Sequence, residues 1–321
     1  MTIWLRVLLA AVTLASSSAF AQTYPTRSVT IVAATTPGSL PDVLARAIGQ
    51  RLSQKWGQPV VIENRAGGAY AIAATAVANA PADGYTLLVS EAAIYTIQPH
   101  LSKGRLAYTP SDFVPASGMA SVPLAFVAHP SLEANSIRDL IALATAKPGT
   151  INYGTTGPGT APHMGMLLLE SMAKIKLTAV HYRGISLATN DLLAGHIQLL
   201  AIGPSVALPS IKAGRLKVLG VGSAQPLPQL PGAALVAEAV PGFEMSVSFP
   251  IFARAGTPHE VITKINTDVQ LIIRDPEFQK QFLEPQALQP TLGSPEQLMR
   301  FLAGESEKWG KLIRDANLTI E

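Results

Sequence analysis

The amino-acid sequence predicts an α/β fold built as two doubly wound lobes, and three observations carry that expectation. Apolar runs rich in β-branched residues alternate with amphipathic or Ala-rich stretches, the pattern of parallel sheets covered by helices, and the alternation runs through twice. One phrase, "TTPGSLPD" from Thr35 to Asp42, returns as "TTGPGTAPH" from Thr155 to His163, each time between an apolar run and an amphipathic stretch. Aromatics make up only 6% of residues, so the core must rest on Ala, Leu, Ile and Val, which suits helices packed closely on a parallel sheet.

The chain begins "MTIWLRVLLAAVTLASSSAFAQ": one cation at Arg6, an apolar segment from Val7 to Ala15, and Ala19-Phe20-Ala21 before Gln22. That is the layout of a cleavable secretory signal over residues 1–21, and its apolar run is shorter than the ~20 residues a membrane span needs. The first alternation follows. "SVTIVAAT" (28–35) predicts a strand, and Leu44, Ile48, Leu52 and Trp56 recur at spacing four on one face of a helix. "PVVIEN" (59–64) is the next strand, Gly67 and Gly68 turn the chain, "AYAIAATAVANA" returns as a helix, and Asp83-Gly84 leads into the strand "YTLLVS".

The second alternation opens with the strand "PLAFVAH" (123–129) and a helix "SIRDLIALATAK" capped by Ser136. It continues with the strand "INYG", a helix through "MGMLLLESM", the strand "TAVHY", a helix "LATNDLLAG", the strand "IQLLAI", a helix near "VALPSIKAG" and the strand "LKVLGVG". Residues 225–242 are rich in Pro and Gly and read as a return connection. Helices are then expected over Pro258–Arg274 after a Thr257 cap, Asp275–Leu283, and Pro295–Ala316 after a Ser294 cap, closing back on the first lobe. The expected organisation is a signal peptide over 1–21, a first lobe from 22–122 plus 247–321, and a second lobe from 123–246. Uncharged stretches at 113–132 and 192–211 approach the length of a membrane span, but their prolines, Gly, Ser and His mark them as strand, turn and helix.

Charge and composition exclude several classes. The 24 Lys and Arg stand against 21 Asp and Glu, a balance with no electrostatic footprint for nucleic acid or an anionic bilayer. Cysteine is absent, so neither disulfides nor a lipid-modified N-terminal cysteine is expected, and a soluble periplasmic protein is predicted. The six histidines include no pair at i,i+3 or i,i+4, so neither a metal site nor a cofactor is expected. No G-x-G-x-x-G or Walker loop occurs. Gly203-Pro204-Ser205-Val206-Ala207 is the nearest approach to a nucleophile elbow, and it makes a secreted hydrolase acting through Ser205 the alternative to a binding protein.

Each repeated phrase joins a strand end to a helix start through hydroxyls and glycine. Ser39-x-x-Asp42 matches a capping box in which Asp42 would reach back to the Ser39 amide, and Thr160 is the expected cap of the second helix. Capping accounts for Ser39 and Thr160 but does not require Thr35, Thr36, Thr155 or Thr156. Helix starts carry unpaired N–H groups and a positive partial charge, and ligands of open α/β sheets bind at strand carboxyl ends. Two lobes aiming such ends into one cleft would clamp a small anion.

At these residues the chain resembles the Bug-type solute receptors of tripartite tricarboxylate transporters. The resemblance runs from Tyr24 to about Leu318 and rests on "YPTRSVTIV", "GQPVVIENRAGG", "PADGYTLL", "HYRG", "DLLAGHIQLL", "IKAGRLKVLGV", "PGFE", "AGTP" and "SEKWGKLI" in that order. It implies the type II periplasmic binding protein fold and a monomeric receptor, not an enzyme. Such a receptor holds a small carboxylate between its lobes and passes it to membrane permease subunits; signalling through a membrane sensor is the other route. The family's binding positions fall on Thr35, Thr36, Gly38, Ser39 and Asp42 in the first phrase and on Ser90, Glu91 and Ala92 after the third strand. They also fall on Thr155, Thr156, Gly159, Thr160 and His163 in the second phrase, on Arg183 beside Tyr182, and on Gly203 and Ser205. Leu40 and Pro41 replace two hydroxyls of the family's first loop, Ile202 stands where many relatives carry an aspartate, and Ser248 where many carry a tryptophan. Those departures imply a carboxylate ligand without an amino group and with a bulky or apolar body, an expectation that Glu91 complicates as an acid able to read an amine or a hydroxyl.

Overall fold

A computed structural model describes residues 24–318, apart from Ala69 and Lys103; the signal segment read over 1–21 lies outside the described residues. Two sheets organise these residues. The first holds β1 (Val29–Ala33), β2 (Val60–Asn64), β3 (Thr86–Val89), β4 (Phe113–Pro123), β10 (Ser246–Arg254) and β11 (Gln289–Pro290), in the order β11-β4-β10-β3-β1-β2. The second holds β5 (Ala125–Ala128), β6 (Asn152–Thr155), β7 (Thr178–His181), β8 (Leu199–Ile202) and β9 (Lys217–Val221), in the order β7-β6-β8-β5-β9. Eight helices of two turns or more accompany them: α1 (Leu40–Trp56), α2 (Ala71–Ala78), α3 (Ile137–Ala146), α4 (Ala161–Ala173), α5 (Ile185–Ala194), α6 (Pro204–Lys212), α7 (His259–Arg274) and α8 (Pro295–Asp315). The stripe read from the sequence is the inner face of α1, with Leu44, Ile48 and Leu52 buried in the core of the first sheet.

The sheets are mixed rather than wholly parallel. β1, β2 and β3 run parallel, but β10 enters antiparallel between β3 and β4, and β5 runs against both β8 and β9. The alternation of strand and helix reports that elements follow one another and not which way a connecting strand points. β4 is an eleven-residue strand whose prolines had suggested interruptions. Its pairing with β10 shifts register at Phe249/Pro250 and at Ile251/Phe252, and Pro115 lies opposite Phe252 at the second shift. Irregularities of this kind are where a sheet tolerates a residue without an N–H.

Two chain crossings join the sheets, after β4 and before β10. Leu124 N–H donates to Met245 O at 3.1 Å, Met245 N–H to Gly222 O at 2.9 Å, and Gly222 N–H to Leu124 O at 2.8 Å, closing a ring of backbone bonds. A Cβ on Gly222 would lie 2.8 Å from Met245 O and 3.3 Å from Leu124 O. Backbone cannot rotate away as a side chain can. Gly222→Ala is therefore expected to lower unfolding free energy by about 1–3 kcal/mol, read from urea midpoints; an unchanged midpoint would reject this account of the crossing.

The terminal helices depart from expectation in two ways. The cap of α7 is Pro258, because the Thr257 hydroxyl turns back to donate to Arg254 O at 2.7 Å. α8, capped by Ser294 as read, does not close on one lobe: Leu298 and Leu302 pack with Phe252 of the first sheet, whereas Trp309, Leu312 and Ile313 join the core of the second with Phe126 and Leu169. None of the described helices is long and apolar enough to cross a membrane.

Candidate binding cleft

The two repeated phrases fold as one device used twice. Ser39 and Thr160 are the N-caps of α1 and α4, with nearly identical backbones (φ −74°, ψ 163° and φ −75°, ψ 159°), and each helix has a proline as its second residue. The glycine before each cap, Gly38 or Gly159, has a positive φ (79° and 75°), which a residue with a Cβ rarely adopts. In each loop the third helical residue reaches back to that glycine. Gly38 N–H donates to Asp42 Oδ2 at 2.8 Å, and Gly159 N–H donates to His163 Nδ1 at 3.0 Å. The capping box is thus corrected by one residue: Asp42 takes the amide of Gly38 and not of Ser39. The geometry follows from the left-handed glycine, which turns its N–H toward the first helical turn.

Hydroxyls lock each loop internally. Thr35 and Ser39 pair at 2.6 Å; Thr155 and Thr160 lie 3.2 Å apart and both donate to Gly157 O. Neither cap side chain accepts a helical amide, so the first-turn N–H groups of α1 and α4 carry no side-chain cap. Asp42 is buried and held by Arg46, Gly38 N–H and Asn64. Burial raises its pKa, but these partners outweigh it and hold the carboxyl below the ordinary value. His163 is also buried, against Tyr153 and edge-on to His181. Burial first, and His181 second, push it down to about 4, so the ring is neutral at pH 7, with Nδ1 accepting and the proton on Nε2.

Between the sheets lies a cavity of about 370 Å³. Its lining includes the first residues of four helices: Leu40 of α1, Ala161 of α4, Ile185 of α5, and Ser205 beside Pro204 of α6. All four helices lack a side-chain cap, as do α2 and α7, which like the capped α3 and α8 contribute no residue to the cavity. Four positive helix ends thus meet around one space. The walls are otherwise apolar, from Pro41, Ile202 and Val206 and from the crossing strands at Val122, Leu124, Val247 and Phe249. Among the described residues no Lys or Arg lines it, and Glu91 is its one charged side chain.

Of the residues singled out in the sequence, Thr35, Ser39, Glu91, Thr156, Gly203 and Ser205 line this cavity. Gly38, Asp42, Thr155, Gly159, Thr160 and His163 stand behind them in the bonds that shape the loops. Thr36 is exposed outside the lining and gives its carbonyl to Ser39 N–H. Ser90 is buried with its hydroxyl unpaired, and Ala92 N–H donates to Ser248 O at 2.8 Å. Arg183 is exposed and does not line the cavity, while its neighbour Tyr182 donates to Asp191 at 2.8 Å. Sequence reasoning missed the wall from the crossing strands and Gln286; the apolar character of β4 and β10 was visible, but not that they face a cleft.

Two α/β sheets joined by paired crossings, with helix starts converging on the cavity between them, define a solute-binding protein. The chain belongs to the tripartite tricarboxylate transporter family receptors, whose description matches residues 44–318. Protein BugT of Bordetella pertussis is 30% identical over 307 residues, covering 94% of this chain and 93% of BugT. Rpa4515 of R. palustris, solved with adipate, superposes with a TM-score of 0.79 at 34% identity, covering 92% of this chain and 99% of that one. The periplasmic binding protein BugD superposes with a TM-score of 0.75 at 27% identity, covering 93% and 100%. The fold is therefore the type II periplasmic binding protein fold, and the family is one of receptors, which sets aside the hydrolase reading of Ser205.

Proposed function

We propose that this protein is a periplasmic receptor that takes a small carboxylate into the cavity between its sheets and delivers it to the permease subunits of a tripartite transporter. The observation that carries the reading is the meeting of four uncapped helix starts around one cavity without a lining Lys or Arg. The adipate held by Rpa4515 supports the ligand class. The carboxylate sits at the helix ends, within reach of Thr35, Ser39, Thr156 and Ser205, and the apolar walls cover its body. Residues 22–122 with 247–321 move as one lobe and 123–246 as the other, hinging at Leu124 and Met245. The signal read over 1–21 directs the chain to the periplasm.

The magnitudes are consistent with that division. Micromolar affinity corresponds to about 8 kcal/mol, and each helix end supplies about 0.3–2 kcal/mol. Hydroxyl bonds and burial of the ligand's apolar body supply the rest. The test is a thermal-shift panel on residues 22–321, unfolded and refolded to strip carried ligand, with aliphatic di- and tricarboxylates, aromatic carboxylates and amino acids. A carboxylate at about 100 times its dissociation constant should add ~2.7 kcal/mol of stability. A panel in which no carboxylate stabilises the protein would overturn the assignment.

A further inference from the structure

Glu91 lies two residues past the end of β3 and lines both the main cavity and a smaller one of about 30 Å³ that leads toward α8. Tyr70 Oη donates to it at 2.9 Å, the one donor to this carboxylate among the described residues, and no basic side chain there pairs with it. The smaller cavity adds a second acid, Glu305, which is held by Lys308 and the Trp309 indole. Beside Glu91, the Ser90 hydroxyl is buried without a partner. Burial pushes the Glu91 carboxyl up against the opposing hydrogen bond from Tyr70, the direction expected of an acid short of donors.

The cleft therefore has two unlike ends. Helix starts at Leu40, Ile185 and Ser205 favour negative charge, and the end toward α8, which the start of α4 at Ala161 also lines, presents the acids Glu91 and Glu305. Ile202 lines the cavity beside Gly203 and Ser205, so the helix end gives no acid to an amino group adjacent to the carboxylate. We infer that the preferred ligand is a carboxylate whose far terminus is a hydrogen-bond donor, an ammonium or a hydroxyl, read by Glu91, and not a second carboxylate. This rests on the receptor reading above and deepens it. Glu91 is a specificity-determining residue: a donor terminus pairs with it, while a second carboxylate there meets a like charge.

The experiment is titration calorimetry with four six-carbon probes, 6-aminohexanoate, 6-hydroxyhexanoate, hexanoate and adipate, against the wild type and Glu91→Gln. The wild type should bind at least one donor-terminated acid tenfold or more tighter than hexanoate, with adipate weakest. In Glu91→Gln the gap between donor-terminated acid and adipate should shrink at least tenfold. Adipate binding tightest to the wild type, or equal affinity for hexanoate and the donor-terminated acids, overturns the inference while leaving a carboxylate receptor in place. Failure of all four probes in a protein stabilised by some other carboxylate overturns it as well. Failure of every carboxylate removes the receptor reading along with it. The wild-type ranking decides the matter even if the variant does not fold.

Discussion

Ser205→Asp is expected to lower carboxylate affinity at least a hundredfold while leaving the fold as stable as before or more so. Ser205 is the second residue of α6 and lines the cavity. An acid in the first helical turn stabilises a helix by about 0.3–1 kcal/mol, so folding gains from the change. The same carboxylate occupies the positive helix end that the ligand would use, and like charges about 4 Å apart at an effective dielectric of 20 repel by about 4 kcal/mol. Ser205→Asn, equal in size and uncharged, should lose less than tenfold. Calorimetry and urea unfolding on the pair separate charge from bulk. Equal losses in the two variants would mean that the site does not read charge at α6.

The second large effect is on stability in acid. His163 is 5% exposed, accepts from Gly159 N–H and is pushed down to about 4 from an ordinary 6.5. Above pH 6.5 the ring is neutral folded or unfolded, and its contribution is fully present. As the pH falls from 6.5 toward 4 the unfolded chain takes up a proton that the folded one refuses, and stability drains away. The total is about 3 kcal/mol. His163→Asn keeps an acceptor where Nδ1 lies and removes the titration. The stability difference between wild type and variant, followed by urea midpoints, should therefore shift against the wild type by about 3 kcal/mol between pH 7 and pH 4. A constant difference would reject His163 as the source.

Much of this was legible before any coordinates. The strands β1, β2 and β3 and the alternation from β6 to β9 carry period and turn signals that local chemistry decides. The phrases announced themselves by repetition, since a hydroxyl, a glycine and a helix start in that order serve few other purposes. What stayed hidden depended on distant partners. β4 reads as broken by Pro115 until β10 supplies the register shift that accommodates it. Thr155, Thr160, Asp42 and His163 carry the residue types of a ligand shell, but their bonds go to neighbouring backbone at Gly157, Gly38 and Gly159. The cavity's apolar walls come from single residues on the crossing strands, and no local pattern marks which side chain of a buried strand faces a cleft.

The absence of lining Lys and Arg among the described residues has a kinetic meaning. A net charge reaches across a Debye length of solution and draws counter-charged solutes inward, whereas the partial charges at helix ends fall off within a turn. A cleft made attractive only by peptide groups offers an approaching anion no long-range pull. With Glu91 the one charged side chain of the lining, encounter with an anion is expected to be no faster than unguided diffusion. Discrimination among solutes falls after contact, in how long each one stays.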